Sequence, residues 1–329
     1  MSVAAPPRRV VCLGEALVDL VCRQPVASLV EAPGFEPRVG GSLANIAVVA
    51  ARFGARVEFL GGAGDDDWGR WLRASLAAQG VDVSRFVLAP SANSSLAFVA
   101  VSPSGEPSFT FYGDSDRPAA HAGRDLELTV AGTPGILVLG GDTLISERER
   151  EVTLGAAELG RERGWTVLFD PNLRPLRWAS EDEMLGETSR LVERARVVKC
   201  NLAEARALTG KVDEEQAARA LLNRGPAVAI VTRGDRGALL AGPRGLTEVT
   251  AARSMPVVDA TGAGDCVAGV LAAALAAGAA PATIERALAL AMEVASRVVA
   301  RWGASAGLPS ASRARAQLGA ALRRGSETA

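Results

Sequence analysis

The sequence predicts an α/β protein with a central, mostly parallel sheet flanked by helices and a small β-sheet appendage, and three observations carry the prediction. Short apolar runs at 136–139, 165–169, 197–200 and 227–231 alternate with stretches of helical periodicity, which is the rhythm of βα units. Polar residues follow those runs directly, where open α/β sheets bind ligands. One segment breaks the rhythm: residues 94–102 and 108–112 each alternate with period two around PSGEP, the pattern of a hairpin.

With 329 residues the chain is long enough to bury roughly three quarters of its unfolded surface, and it is read as one domain over 1–329. The 36 basic and 37 acidic residues leave a formal charge of -1, so no field draws nucleic acid or an anionic membrane, and an anionic ligand must be held locally. Neither partner is expected. Cys12, Cys22, Cys200 and Cys266 lack CxxC spacing and sit in apolar or small-residue contexts, which predicts buried thiols in a reducing compartment. Arg8-Arg9 precedes an apolar run, but Glu15 and Asp19 interrupt it, unlike an export signal. No other stretch reaches the roughly 20 apolar residues of a membrane span, so a cytoplasmic protein is expected. His121, the one histidine, lies in a polar loop and is read as a bystander.

Along the chain, 9–13 is a strand ending at Gly14-Glu15, with Asp19 just beyond. Pro and Gly make 33–38 a loop. Gly40-Gly41-Ser42 then opens a helix whose Leu43, Ile46, Ala47, Ala50 and Phe53 recur at helical spacing up to Gly54. Asn45 interrupts that stripe, as a cap or a ligand contact, because a buried amide without partners costs about 1 to 3 kcal/mol. Asp65-Asp66-Asp67 starts the next helix. Adjacent residues cannot all face one ion, and acidic residues suit a helix N-terminus. Ser146 with Glu149 and Ser180 with Glu183 begin two further helices. Asp170-Pro171-Asn172 is turn chemistry, followed by Arg174, a planar cation suited to phosphate or sugar oxygens. Asn201 and Glu204 stand one turn apart, an ordinary capping arrangement. Thr232 to Gly237 is a turn between strands whose two glycines, Gly234 and Gly237, let backbone approach a phosphate.

The chemistry concentrates in 256–269, PVVDATGAGDCVAG. Gly262-Ala263-Gly264 opens a long Ala/Leu-rich helix, and the unpaired N–H groups at such a start can hold an anion. Asp265 beside that turn would repel a phosphate unless it accepts the proton of a hydroxyl attacking a phosphoryl group, while Gly262, Ala263 and Gly264 stabilise the transferring oxygens.

DATGAGD followed by a small-residue helix resembles the C-terminal signature of the PfkB (ribokinase-like) carbohydrate kinases, and further motifs fall in that family's order over nearly the whole chain. The resemblance implies a ribokinase-like fold using ATP and Mg²⁺, with a lid formed by parts of about 21–40 and 94–114 that covers the sugar and offers a homodimer contact. Asp19 and the GGSLAN residues Gly40, Gly41 and Asn45 match sugar contacts, as does Tyr112. Gly113 stands where related members carry arginine, leaving Arg117 as a nearby substitute. DPNLRP, with Arg174, resembles the stretch found in fructokinases and 2-keto-3-deoxygluconate kinases. Asn201 and Glu204 match the NxxE motif, whose glutamate orients water around Mg²⁺, and Thr232, Gly234 and Gly237 match nucleotide contacts. Asp259 and Thr261 match positions that hold a monovalent cation such as K⁺ in some members, whereas Gly307 replaces a cation-binding serine. An NAD-dependent oxidoreductase built on Gly262-x-Gly264 and a non-catalytic sugar sensor are the competing classes. The first leaves Asp265 unexplained, and the second has no need of it.

Overall fold

The computed structural model describes residues 7–90, 92–113, 130–250 and 255–323. The chain begins with β1 (Arg9–Glu15), β2 (Leu17–Val21), β3 (Glu36–Gly40), α1 (Ser42–Arg52), β4 (Arg56–Gly64), α2 (Asp67–Ala78) and β5 (Phe86–Ala89). Next come β6 (Leu96–Val101), β7 (Pro107–Tyr112), β8 (Ile136–Gly140), α3 (Glu147–Glu162), β9 (Thr166–Asp170), α4 (Glu181–Val192) and β10 (Val197–Asn201). The remainder is α5 (Leu202–Thr209), α6 (Glu214–Leu222), β11 (Val228–Thr232), β12 (Ala238–Gly242), β13 (Gly245–Val249), α7 (Ala263–Ala276), α8 (Pro281–Val298) and α9 (Ala311–Arg323).

Nine strands make one sheet in the order β13-β12-β11-β10-β9-β8-β1-β4-β5, parallel throughout except at β11–β12 and β12–β13. Its central strands β1, β8 and β9 are buried on both faces, which is why they read as unbroken apolar runs. Alternate residues feed opposite cores. Val10, Cys12, Ile136 and Val138 join α1, α2, α7, α8 and α9, while Val11, Leu13, Leu137 and Leu139 join α3 to α6. α7 is buried over its whole length from Cys266 to Ala276, and its alanines let α1 and α8 close in on either side.

The appendage is a four-stranded sheet, β3-β2-β6-β7. Its hairpin β6–β7 falls where the alternation predicts, but the sheet begins earlier than about residue 21. Asp19 is not a loop residue after β1; it sits within β2, paired with Arg38 and Ala97. The charge that interrupts the LVDLV run points into a polar cavity, so the run stays extended. The carboxylates at 65–67 act as expected for a helix start, with Asp66 capping α2 by accepting the Gly69 N–H at 2.8 Å. Among the described residues no cluster of metal-ligating side chains occurs, the four cysteines are free and buried, and no helix is long and apolar enough to cross a membrane. Arg117 and His121 lie outside the described residues.

Candidate active site

The carboxyl ends of neighbouring parallel strands surround a cavity of about 580 Å³, to which β1 contributes Glu15, β9 Asp170, β10 Asn201 and β11 Thr232, with Asp142 just beyond β8. β2 of the small sheet adds Leu17 and Asp19, and β7 adds Phe109 and Phe111 as a roof. α1 contributes Ser42 and Asn45, and the segment from Ala260 to Asp265 closes the wall. A second, more apolar cavity of about 310 Å³ shares Thr232, Gly234, Ala263 and Gly264 with the first and extends along Val257, Met292 and Val299. The Ala263-Gly264 turn therefore stands between a polar chamber and an apolar slot. A larger cavity of about 710 Å³, on the other side of Asn45, shares only that residue with the polar chamber.

Gly262 is the cap residue of α7 and holds a left-handed φ of 77°; a side chain there would strike Ala304. The first N–H groups of α7 have no intrahelical acceptor; that of Ala263 reaches back to the Ala260 carbonyl at 3.3 Å, and Gly264 and Asp265 follow it along the cavity wall. Asp265 sits in the first helical turn, its Oδ1 accepting the Ser42 hydroxyl at 2.7 Å and its Oδ2 the Asn45 amide at 2.9 Å. Burial pushes its pKa up to about 6; the Ser42 hydrogen bond opposes this, Asp170 adds to it, and the Asn45 bond and the Lys199 charge oppose it. A carboxylate so held is ionised at neutral pH, yet is a better proton acceptor than a solvated one.

Asp19 is pushed further, up to about 7, by burial and then by the Asp265 and Asp259 charges, with Arg174 pulling the other way. Arg174 and Arg177 lie beneath the roof, with their guanidinium carbons 5.4 Å from the Phe109 ring centre and 4.8 Å from that of Phe111. Arg177 also pairs with Glu15 at 3.5 Å and Asp142 at 3.3 Å. Asn172 turns the chain here with a positive φ of 43°, a conformation that asparagine tolerates better than most residues.

At the other end Asn201 and Glu204 form the capping box of α5, and Glu204 Oε1 also accepts the Leu173 N–H at 2.8 Å, tying α5 to the Arg174 loop. Burial raises the Glu204 pKa, as does Asp170, against the opposing charge of Lys199. Between them lies a pair that the sequence reading passed over. The Lys199 ammonium donates to Asp170 Oδ2 at 2.8 Å with both residues almost fully buried, 4% and 2% exposed. A lysine in the middle of the apolar strand VVKCN was the available signal. Ser42 was missed because serine at a helix start is usually only a cap.

Most of the sequence-selected residues line this cavity: Asp19, Gly41, Asn45, Arg174, Asn201, Glu204, Thr232, Gly234, Thr261, Gly262, Ala263, Gly264 and Asp265. Gly40 backs it, with its Cα against the Asp19 carboxyl, where a side chain would not fit. Gly237 closes the turn after Thr232 through its N–H to the Gly234 carbonyl at 3.2 Å. Asp259 lies beneath the wall, accepting from the Thr261 and Gly303 N–H groups, each at 2.9 Å. Tyr112 is a correction. It is 58% exposed and its ring packs edge-on against Phe98, because β7 turns Phe109 and Phe111 inward and every second residue outward.

A twisted α/β sheet with a small second sheet over its site, a helix-start turn with an adjoining carboxylate, and paired polar and apolar cavities define a carbohydrate kinase. The chain belongs to the pfkB family of carbohydrate kinases, whose description matches residues 7–311. It is 35% identical to fructokinase-1 of Oryza sativa subsp. japonica over 266 residues, covering 80% of this chain and 81% of the relative. It is 34% identical to the probable fructokinase-4 of Arabidopsis thaliana, covering 80% of each. Its fold is similar to that of the Vibrio cholerae O395 fructokinase with fructose, ADP and calcium bound, with a TM-score of 0.81 and 29% identity over 96% of this chain and 99% of that one. It is also similar to the Salmonella enterica aminoimidazole riboside kinase complexed with aminoimidazole riboside and an ATP analogue, with a TM-score of 0.80 and 28% identity over 94% and 99% of the two chains. The expected fold and class are thus borne out, and the protein is an ATP-using, fructokinase-like sugar kinase.

Proposed function

We propose that the enzyme transfers the γ-phosphoryl group of ATP to a terminal primary hydroxyl of an uncharged ketose, with fructose the leading acceptor, and that Asp265 is the general base. The observation that carries this is the buried Asp265 carboxylate beside the helix-start turn, held by Ser42 and Asn45. In this reading Asp19, Asn45 and Arg174 orient the sugar with backbone from Gly40 and Gly41, and Phe109 and Phe111 take the role expected of Tyr112. Gly262, Ala263 and Gly264 hold the transferring oxygens, and Asn201, Thr232, Gly234 and Gly237 shape the nucleotide side, with the base in the apolar slot along Met292. Closure of the small sheet over the sugar excludes water that would compete for the phosphoryl group.

Charge supports a neutral acceptor. Of the seven carboxylate side chains that line the polar cavity, Arg177 pairs with Glu15 and Asp142 and Lys199 with Asp170, which leaves Asp19, Glu106, Glu204 and Asp265 facing Arg174, a balance that disfavours a sugar acid or sugar phosphate. The residues also fit the ions expected of a kinase. Both Glu204 oxygens already accept backbone N–H groups, which suits contact with Mg²⁺ through water, and Asp170 Oδ1 is buried with no partner. Bound there, Mg²⁺ would neutralise the β- and γ-phosphoryl oxygens. K⁺ fits less well: Thr261 Oγ1 is buried without a partner, but a side chain at Gly307 would collide with the Arg297 carbonyl, so no serine ligand is available. We further propose a single functional domain over 1–329, a homodimer through the exposed edge of the small sheet, and a cytoplasmic location in keeping with four buried free thiols.

The test is ADP release from Mg-ATP across fructose, other ketoses, ribose, 2-keto-3-deoxygluconate and nucleosides, with Asp265→Asn as the blank. Turnover on a neutral ketose that the variant lacks is the expected result. Preference for the sugar acid would overturn the acceptor class.

A further inference from the structure

Neither the proton transfer nor the helix-start turn requires Lys199, yet its ammonium is buried beside both. It lines the polar cavity, and Gly264 leaves it room: a Cβ at position 264 would lie 2.8 Å from Lys199 Nζ. Asp170 is its only hydrogen-bond partner among the described residues. An ammonium carries three donors, so two remain. Burial disfavours its charged form, but the Asp170, Glu204 and Asp265 charges around it favour that form and hold its pKa above the ordinary value. A buried cation with unused donors, set against the turn where a phosphoryl group would rest, is matched to an anion's oxygen.

We infer that Lys199 is a further catalytic residue, whose ammonium donates to an oxygen of the transferring phosphoryl group beside the backbone N–H of Gly264, with Asp170 positioning it. The inference rests on the kinase reading above. Lys199 keeps its proton throughout and stabilises charge only, while Asp265 receives the proton of the acceptor hydroxyl. The competing explanation is that Lys199 does no more than neutralise the buried Asp170 carboxylate.

The two are separated by calorimetric binding of Mg-ATP and Mg-ADP, without sugar, to the wild type, Asp170→Asn, and the double variant Asp170→Asn/Lys199→Met, so that the effect of Lys199 is read between two proteins that both lack the Asp170 carboxylate. If Lys199 reaches the γ-phosphoryl group, the double variant loses ATP affinity relative to Asp170→Asn by about 10- to 100-fold, the worth of a charge-assisted hydrogen bond, while ADP affinity stays within about twofold. Its kcat then falls below that of Asp170→Asn by about 10²- to 10³-fold, as when one oxyanion donor is removed. If the double variant binds ATP as Asp170→Asn does, or loses ATP and ADP affinity equally, the inference is overturned. Because the ratio of affinities is read without an acceptor, it decides the role of Lys199 even if no sugar in the panel is phosphorylated, an outcome that would count against the proposed acceptor alone.

Discussion

Replacing Asp265 with asparagine should abolish turnover and yet make the ligand-free protein more stable, and the size of the gain follows from the site. Asn45 donates its amide to Oδ2, so the new carbonyl oxygen must face Asn45. The new NH₂ then faces Ser42, whose hydroxyl turns round to accept, and both bonds survive. What disappears is the cost of holding a charge in a fully buried place. The displacement of the Asp265 pKa from 3.8 to about 6 is worth about 3 kcal/mol at about 1.4 kcal/mol per pH unit. The folded protein binds this proton more tightly than the unfolded chain, so wild-type stability falls as pH rises from about 4 to 6. Asp265→Asn escapes that fall. At pH 8 its thermal midpoint should exceed the wild type's by about 4 °C, using about 2.1 cal/mol/K of unfolding entropy per residue over 329 residues; the gain should shrink below pH 6 and vanish near pH 4. In the same preparation kcat should drop by about 10²- to 10⁴-fold. A variant with turnover within tenfold of wild type, or with the same stability difference at pH 5 and pH 8, refutes the reasoning.

Asp19→Asn should behave alike in stability over a wider range, gaining above pH 7 and nothing near pH 4, because its carboxyl is pushed from 3.8 to about 7; steady-state kinetics should show a KM for the sugar raised by about tenfold or more, the loss of a hydrogen bond to a charged group. The pH dependence of kcat/KM should fall on the acid side near pH 6, where Asp265 takes up its proton. Gly264→Ala should fold, since α7 is strengthened by alanine, but its methyl group displaces the Lys199 ammonium, and kcat should fall by about 10²-fold. Phe109→Ala removes the ring over Arg174, a contact worth about 0.5 to 1 kcal/mol, and should raise the sugar KM by about two- to fivefold without changing the nucleotide KM. A charge placed on the outer edge of β7 should convert a dimer to a monomer in sedimentation if the small sheet is the contact.

Some of this was legible from local patterns. The strand-helix rhythm, the hairpin, the turn opening α7 and the caps at Asp66, Ser146 and Asn201 depend on residues within a few positions of one another. β2 was not legible, because Asp19 breaks an apolar run and looks like the loop that follows β1; it is extended because its carboxyl faces the cavity. β13 and α9 carry no chemistry and little periodicity, and they are held by packing on their neighbours. Tyr112 matched by position but not by side, since one residue of register decides which face of β7 looks inward.

The sequence alone determined the class of chemistry, because an anion-holding helix start with a carboxylate three residues past its capping glycine is a local arrangement that any reader of DATGAGD can place. It also predicted buried thiols, and Cys12, Cys22, Cys200 and Cys266 are free and buried. Only the tertiary structure decided which distant groups complete the site. Ser42 and Asn45 reach Asp265 across more than 200 residues of chain, Lys199 meets Asp170 across 29, and the pKa of Asp265 arises from the burial that these contacts create. Burial and long-range Coulomb interactions are properties of the packed molecule, so no stretch of sequence contains them.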